Sequence, residues 1–526
     1  MQQRKAVQMD RRQLLGLATS LAGVLWLPRS AWSQARFTSD PFTLGVASGS
    51  PTHEGVVLWT RLVQAHDAMP PQDITVGWEV AHDAQFGQVV ASGQATASAA
   101  LAHSVHVEVQ GLAPDRWYFY RFMSGAAVSA TGRTRTFPAP GARANKLRLA
   151  YASCQHWEHG YFSAYRHMLA EDLDAVMFLG DYIYEYTGSS KGVRRVSASA
   201  SVTLDEYRAR YALYKSDLDL QRMHRACPWL MTWDDHEVQN DYAGTTPGDK
   251  GPAVADFAAR RAAAYQAYYE HMPLRASVLT QALSGLSNGA EMRIYGEVAF
   301  GNLATLYLLD DRQYRDPQAC TKGGALGSST VNPESCAIWN EPRRTLLGAQ
   351  QEKWLNQSFG ADKAVWNVLG QQTVFGQRDL KPGPGQVFSN DGWDGYSAAR
   401  TRLTDAMQRQ KLANPVILGG DVHSNWVGHV KADYARSDSA AIGVEFCGAS
   451  ITSHGGSNER LASVLAENPH FVLADRERRG YGVVEFTPQK LTTTLRVVED
   501  VTRHDSGIET LASFTVQQGR PVLERG

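Results

Sequence analysis

The chain has 526 residues, 43% hydrophobic and 20% charged, and near-equal acids and bases leave a formal net charge of −1. That length sets an expectation of about two domains plus a short appendage, and the composition is that of an ordinary globular protein. It argues against a nucleic-acid-binding scaffold, which carries a basic excess or a Lys/Arg stripe; the densest basic cluster, Arg476, Arg478 and Arg479, is interleaved with Asp475 and Glu477 and reads as a solvated surface.

Residues 1–35 read as an export signal that is not part of the fold. A basic start (Arg4, Lys5, Arg11, Arg12) precedes the apolar run Leu14 to Leu27, and Ser33-Gln34-Ala35 offers small residues at the positions a signal peptidase reads. The run is too short for a retained membrane anchor, which needs about 20 apolar residues. Asp10-Arg11-Arg12-Gln13-Leu14-Leu15 resembles a twin-arginine signal, which the twin-arginine export machinery reads as an address; a chance arginine pair in an ordinary Sec signal is the alternative. The expected location is periplasmic or secreted.

From 36 to 140 the pattern is short β. Val56 to Trp59, Ile74 to Val80, Val105 to Val109 and Trp117 to Phe122 alternate or run apolar between turn residues. This predicts a small β-sandwich of the fibronectin type, in which Tyr118, following Leu112-Ala113-Pro114, ties down a corner. Pro138 to Ala142 reads as a linker.

The catalytic-type domain is expected over 145–526, where apolar strands each end abruptly in polar residues. Leu147 to Ala152 ends in Ser153-Cys154, Ala175 to Leu179 in Gly180-Asp181, and Trp229 to Trp233 in Asp234-Asp235-His236. Later, Ala304 to Leu309 ends in Asp310-Asp311, Val365 to Leu369 in Gly370-Gln371-Gln372, and Pro415 to Leu418 in Gly419-Gly420-Asp421-Val422-His423. In α/β sheets the ligand crevice lies outside the carboxyl ends of strands, so these endings should converge. Helices are predicted over Phe257 to His271 and Arg344 to Phe359, and a final strand pair over Tyr481 to Phe486 and Leu491 to Val498. Of the five cysteines, Cys320 and Cys336 are the candidate disulfide in an oxidising compartment, while Cys227 and Cys447 read as small buried side chains.

Cys154, Asp181, Tyr184, Asp235, His236, Asp421 and His423 all fall at or just past strand ends. Mixed sulfur, nitrogen and oxygen donors suit a transition metal beside a harder cation. Taken singly, each has a plainer explanation: the aspartates as helix caps, Tyr184 as core packing, Cys154 as an inert thiol.

The segments Ala152-Ser153-Cys154-Gln155, Leu179-Gly180-Asp181-Tyr182-Ile183-Tyr184-Glu185, Thr232-Trp233-Asp234-Asp235-His236-Glu237, Leu309-Asp310-Asp311-Arg312-Gln313-Tyr314-Arg315 and Gly419-Gly420-Asp421-Val422-His423, with Trp393-Asp394-Gly395-Tyr396, resemble the signature segments of the PhoD-like alkaline phosphatases. The resemblance implies an α/β/β/α sandwich of the metallophosphatase type, related to purple acid phosphatases, behind the β-module. It implies hydrolysis of small phosphate mono- and diesters by a metal-activated hydroxide, with iron(III) and one or two calcium ions. Carried over by position, Cys154, Asp181, Tyr184 and His423 would hold the iron; Asp181 would bridge to a site completed by Asp235 and Asp421, with Asn240 a further candidate calcium ligand. His236 is the candidate general acid. Arg312 is either a fork for phosphate or an ion-pair partner of Asp310 or Asp311. His156, His159, His167, His224, His429 and His470 read as surface or structural histidines, with His454 the one candidate for the substrate pocket. Lys191 to Val202, Cys320 to Cys336 and Pro382 to Trp393 are expected to build the pocket rim. Two rival readings are a phospholipase D-like phosphodiesterase and a binding protein that captures phosphate or metal without turnover.

Overall fold

A computed structural model describes residues 37–64, 69–188, 192–249, 253–279, 291–361, 363–436 and 438–526. The expected signal over 1–35 lies outside the described residues, as does Lys191.

Two mixed sheets pack face to face. The ten-stranded sheet runs, edge to edge, Arg520–Arg525, Ile508–Gln517, Lys490–Val498, Arg479–Phe486, Leu147–Ala152, Ala175–Leu179, Trp229–Thr232, Val46–Gly49, Val56–Arg61, Ser104–Val109. The seven-stranded sheet runs Gly296–Phe300, Ala304–Leu308, Trp366–Gly370, Pro415–Gly419, Ala441–Cys447, Asn425–Lys431, Phe471–Asp475. Alternation along each strand assigns its residues to layers. Met177 and Leu179 meet Leu306, Val368, Val416 and Leu418 between the sheets. Val176 and Phe178 point the other way, toward the helices Ser163–Met168, Leu204–Lys215 and Phe257–His271. Tyr307, Leu369 and Ile417 likewise face the helices Gly348–Ala361 and Ser397–Arg409 on the far side.

Helix starts follow local chemistry. Thr203 and Glu206 form a capping box at Leu204–Lys215, and the Asp256 carboxylate accepts from Ala259 N at the start of Phe257–His271. That second helix stacks Tyr265 on Trp233 at 4.3 Å between ring centroids, which anchors the chain immediately before Asp234.

The N-terminal module packs a five-stranded sheet, which includes Val89–Ala97, Ile74–Ala81 and Trp117–Ser124, over Val46–Gly49, Val56–Arg61 and Ser104–Val109. The Tyr118 hydroxyl closes the expected corner, accepting from Ala113 N at 2.9 Å and lying 3.3 Å from Ala113 O. The three latter strands also extend the large sheet through the parallel pair Gly49 and Trp229, so the module is continuous with the sheet beyond the linker. At the other end, Tyr481 to Phe486 and Leu491 to Val498 do pair, but they are not the last strands: Ile508–Gln517 and Arg520–Arg525 follow. The Cys320–Cys336 disulfide is formed, and Cys227 and Cys447 are buried thiols. Among the described residues no helix is long and apolar enough to cross a membrane.

Candidate functional site

Three neighbouring parallel strands of the large sheet, Leu147–Ala152, Ala175–Leu179 and Trp229–Thr232, end on one edge and deliver Cys154, Asp181 and Asp235. From the facing sheet, Pro415–Gly419 delivers Asp421 and His423. Cys154, Asp181, Asp421 and His423 all leave their strands in the left-handed backbone region, with φ of 59°, 57°, 63° and 50°. For side chains with a Cβ this costs about 1–3 kcal/mol each, and such residues cluster where function requires them. At Gly180 only glycine fits: φ is 106°, and a Cβ would lie 2.4 Å from Asp234 Cβ.

Buried Glu237 clasps two of these endings. Its carboxylate accepts from Asp181 N at 3.1 Å, Tyr182 N at 2.6 Å and Asp234 N at 2.9 Å. Gln372 ties the two sheets together, donating its amide at 2.8 Å to both Trp233 O and Leu309 O.

The ligand-type atoms form three overlapping groups, each with all its atoms within 4.8 Å of one another: Cys154, Asp181 and His423; Asp181, Asp235 and His236; Asp234, Asp235 and Asp421. Tyr184 joins the first, its hydroxyl donating to Asp181 Oδ2 at 2.8 Å and lying 3.1 Å from His423 Nε2. His423 Nδ1 donates to His454 O at 2.9 Å, which leaves the Nε2 lone pair for the cluster.

This donor set fits bound cations. Asp181 Oδ1 and Asp234 Oδ2 are buried with no hydrogen-bond partner. Burial pushes Asp181 well above the ordinary carboxylate range, and Asp235 and Glu237 add to that against the pull of His236. Burial, then Asp181, pushes the Cys154 thiol and the Tyr184 phenol well up. Such anions need compensating positive charge to exist ionised, and a metal ion is the strongest local source of it. Cys154, Asp181, Tyr184 and His423 match a thiolate- and phenolate-accepting ion, while Asp235, grouped with Asp181 on one side and with Asp234 and Asp421 on the other, matches an oxygen-preferring one.

His236 joins Asp181 and Asp235, with Nδ1 held 2.7 Å from the buried Glu185 Oε2. Burial opposes its charge, yet Asp181, Asp235 and Glu185 hold its pKa well above the ordinary value. Asp235 is pushed up by burial but held below the usual range by Arg312 and His236, and Asp241 N donates to its Oδ2 at 2.6 Å.

Two candidates have partners that spacing does not suggest. Arg312 is not a free fork for phosphate: Nε pairs with Asp234, Nη1 with Asp391 at 2.6 Å and Nη2 with Asp421 at 3.3 Å. Asp310 meets it only through the Arg312 backbone N–H, at 3.1 Å, and Asp311 lies 3.9 Å from Nε. Asn240 makes no side-chain hydrogen bond to the clustered carboxylates; its amide donates to Asp249 at 2.8 Å, and its backbone N–H supports Glu185. His156 and His159 also have more context than their sequence suggests. His156 stacks on His159 at 3.7 Å, His159 on His454 at 3.9 Å, and His156 lies against Tyr184 at 4.2 Å. Asp234, Glu185 and Glu237 sit inside the signature segments without a role that spacing reveals. Asp391 and Thr373, whose hydroxyl donates to Asp421 Oδ2 at 2.8 Å, carry no local signal.

Known proteins agree with this arrangement. Residues 149–495 match the PhoD-like phosphatase family, and residues 28–138 match the PhoD-like phosphatase N-terminal domain. Alkaline phosphatase D of Bacillus subtilis (strain 168) is 43% identical over 535 aligned positions, covering 98% of this chain and 89% of that protein. A solved structure of PhoD superposes with a TM-score of 0.87 at 44% identity, covering 94% of this chain and 93% of that one. A match over most of the chain in sequence and in fold, with the strand-end cluster in place, makes this protein a member of the PhoD-like phosphatase family.

Proposed function

We propose that this phosphatase is an exported, metal-dependent phosphoesterase that cleaves phosphate monoesters and diesters. In this reading a twin-arginine-type signal (1–35) precedes a fibronectin-like module (36–140) and a metallophosphatase-type α/β/β/α sandwich (145–526). The observation that carries the metal dependence is the sharing of Asp181 between two ligand groups, with one of its buried oxygens unpartnered. The relative's name, alkaline phosphatase D, supports phosphate esters as substrates.

Cys154, Asp181, Tyr184 and His423 would hold iron(III), and Asp181, Asp235 and Asp421 would hold calcium. When bound, these cations supply Lewis acidity that neutralises phosphoryl charge and lowers the pKa of water. The chain's own residues do the rest. Glu185 holds His236 at Nδ1, so the proton to be given up sits on Nε2, and His236 delivers it to the leaving oxygen as general acid. Arg312 spans Asp234, Asp391 and Asp421 and keeps these carboxylates from repelling one another apart. Thr373 fixes the rotamer of Asp421, and Ser453 Oγ, 2.6 Å from the Tyr184 hydroxyl, fixes that ring.

Elemental analysis of the purified mature protein, paired with its visible spectrum and a chelator titration of p-nitrophenyl phosphate hydrolysis, tests the reading. Iron with calcium, a coloured solution, and activity lost to chelator and regained at least partly with calcium are expected. A colourless protein that keeps full activity through prolonged chelation would refute it.

A further inference from the structure

We propose that a basic pocket beside the catalytic cluster receives a second phosphate group of the same substrate molecule, so that esters carrying two phosphates are preferred over those carrying one. The proposal rests on the phosphoesterase reading for its first phosphate and on separate residues for its second.

A cavity of about 800 Å³ opens against Val422, the residue between Asp421 and His423. One wall is the insertion closed by the Cys320–Cys336 disulfide, another the helix Leu461–Glu467. The lining takes in parts of two segments expected from sequence to form the rim, Cys320 to Cys336 and, at Ser389, Pro382 to Trp393. Arg378, Arg460, Arg476 and Lys322 line the cavity, and no carboxylate does. Among the described residues none of these four cations makes a salt bridge, whereas nearby Arg400 and Arg478 are paired with Asp394 and Asp475.

The Arg378 guanidinium lies 5.2 Å from the centre of the Trp426 ring, while Lys322, Arg460 and Arg476 are exposed. Cations that converge on one cavity with no carboxylate to offset them favour an anion there. A dianionic phosphate satisfies guanidinium and ammonium donors together, and guanidinium geometry favours it. The cavity falls within the roughly 300–1,000 Å³ of small-molecule sites and has room for the chain that links the two phosphates.

The test uses the metal-loaded protein and two matched series, n-alkyl phosphates and α,ω-alkanediol bisphosphates of graded chain length, with kcat/KM read from released phosphate. The wild type should favour the bisphosphate by about tenfold or more at one best length, and an Arg460→Gln/Arg476→Gln double variant should lower that ratio by about tenfold. These two side chains are exposed, so the fold should tolerate their loss. In parallel, equilibrium binding of a non-hydrolysable alkanediyl bisphosphonate to wild type and double variant should weaken by the same factor. A wild type that hydrolyses no ester yet binds the bisphosphonate more tightly than the variant would refute the phosphoesterase reading and support the pocket. A ratio that the double variant leaves unmoved would overturn the proposal. So would a preference indifferent to chain length, because an independent site for free phosphate does not sense the tether.

Discussion

Neutralising Glu185 should move the pH profile of the enzyme by an amount that depends on the leaving group. His236 is 6% exposed and Glu185 fully buried, joined at 2.7 Å. In a Glu185→Gln variant the side-chain shape persists, but only one of its two terminal atoms can still accept. In the native protein both accept, Oε2 from His236 and Oε1 from Asn240 N at 2.8 Å. A hydrogen bond to a charged group contributes about 1.5–3 kcal/mol, and one pKa unit corresponds to about 1.36 kcal/mol. The His236 pKa should therefore fall by about 1–2 units. A general acid must be protonated to act, so the alkaline limb of kcat/KM for an alkyl phosphate should move down by about 1–2 pH units.

p-Nitrophenolate departs without a proton, so with p-nitrophenyl phosphate the limb should move far less. His236→Gln sets the scale: a loss of about 10²–10⁴ on the alkyl ester and less than about tenfold on the p-nitrophenyl ester. Equal losses on both esters, or a profile that Glu185→Gln leaves in place, would refute the acid role. Metal analysis of the same preparations then shows whether His236 is a ligand.

Arg312→Met should destabilise the fold by about 3–5 kcal/mol, because Asp234 and Asp421 lose the cation that a buried pairing requires while Asp391 keeps only Arg315; the denaturant midpoint reads this directly, and an unchanged midpoint would contradict the pairing. Tyr184→Phe should abolish a visible charge-transfer band while iron remains measurable, and persistence of the band would place the colour on another residue. Burial lowers the Lys215 amine from 10.5 to about 7, with its Nζ 4.1 Å from the Trp59 ring centre. The unfolded chain therefore binds that proton across this window and the folded one does not, so stability rises as pH climbs from about 7 to 10.5 and is lowest below it. A Lys215→Met variant should lose that slope and gain on the order of 4 kcal/mol near neutrality at most; equal slopes in variant and wild type would refute it.

The strands that carry the site were legible because each is an apolar run cut off by polar residues. Leu147–Ala152, Ala175–Leu179 and Phe257–His271 have the bounds expected from their periods. Ile508–Gln517 was not legible: its first half is partly exposed and breaks the alternation, and only Ala512, Phe514 and Val516 form a buried apolar face. Pairing across long separations was also hidden. Nothing local to Gly49 announces that it will lie beside Trp229, where a Cβ would come within 2.7 Å of Trp229 O. That Asp235 and His423 reach the strand-end cluster was readable, but the partners of Arg312 were not. Asp391 follows only the two-residue strand Phe388–Ser389, too short to read from its pattern, and only the folded chain brings it 2.6 Å from the guanidinium.

The site also depends on the two sheets being docked. Cys154, Asp181 and Asp235 come from one, Asp421 and His423 from the other, and Gln372 bridges Trp233 and Leu309 at the seam. Before docking, neither proposed cation meets all of its donors, since His423 is missing from one set and Asp421 from the other, and the strained left-handed residues at Cys154, Asp181, Asp421 and His423 have no ligand to compensate them. Metal binding and sheet docking should therefore reinforce one another, since a site absent from the unfolded chain converts binding energy into folding energy. The proposed twin-arginine route would suit such a centre, because a protein exported already folded would close its sheets around the ions before it crosses the membrane.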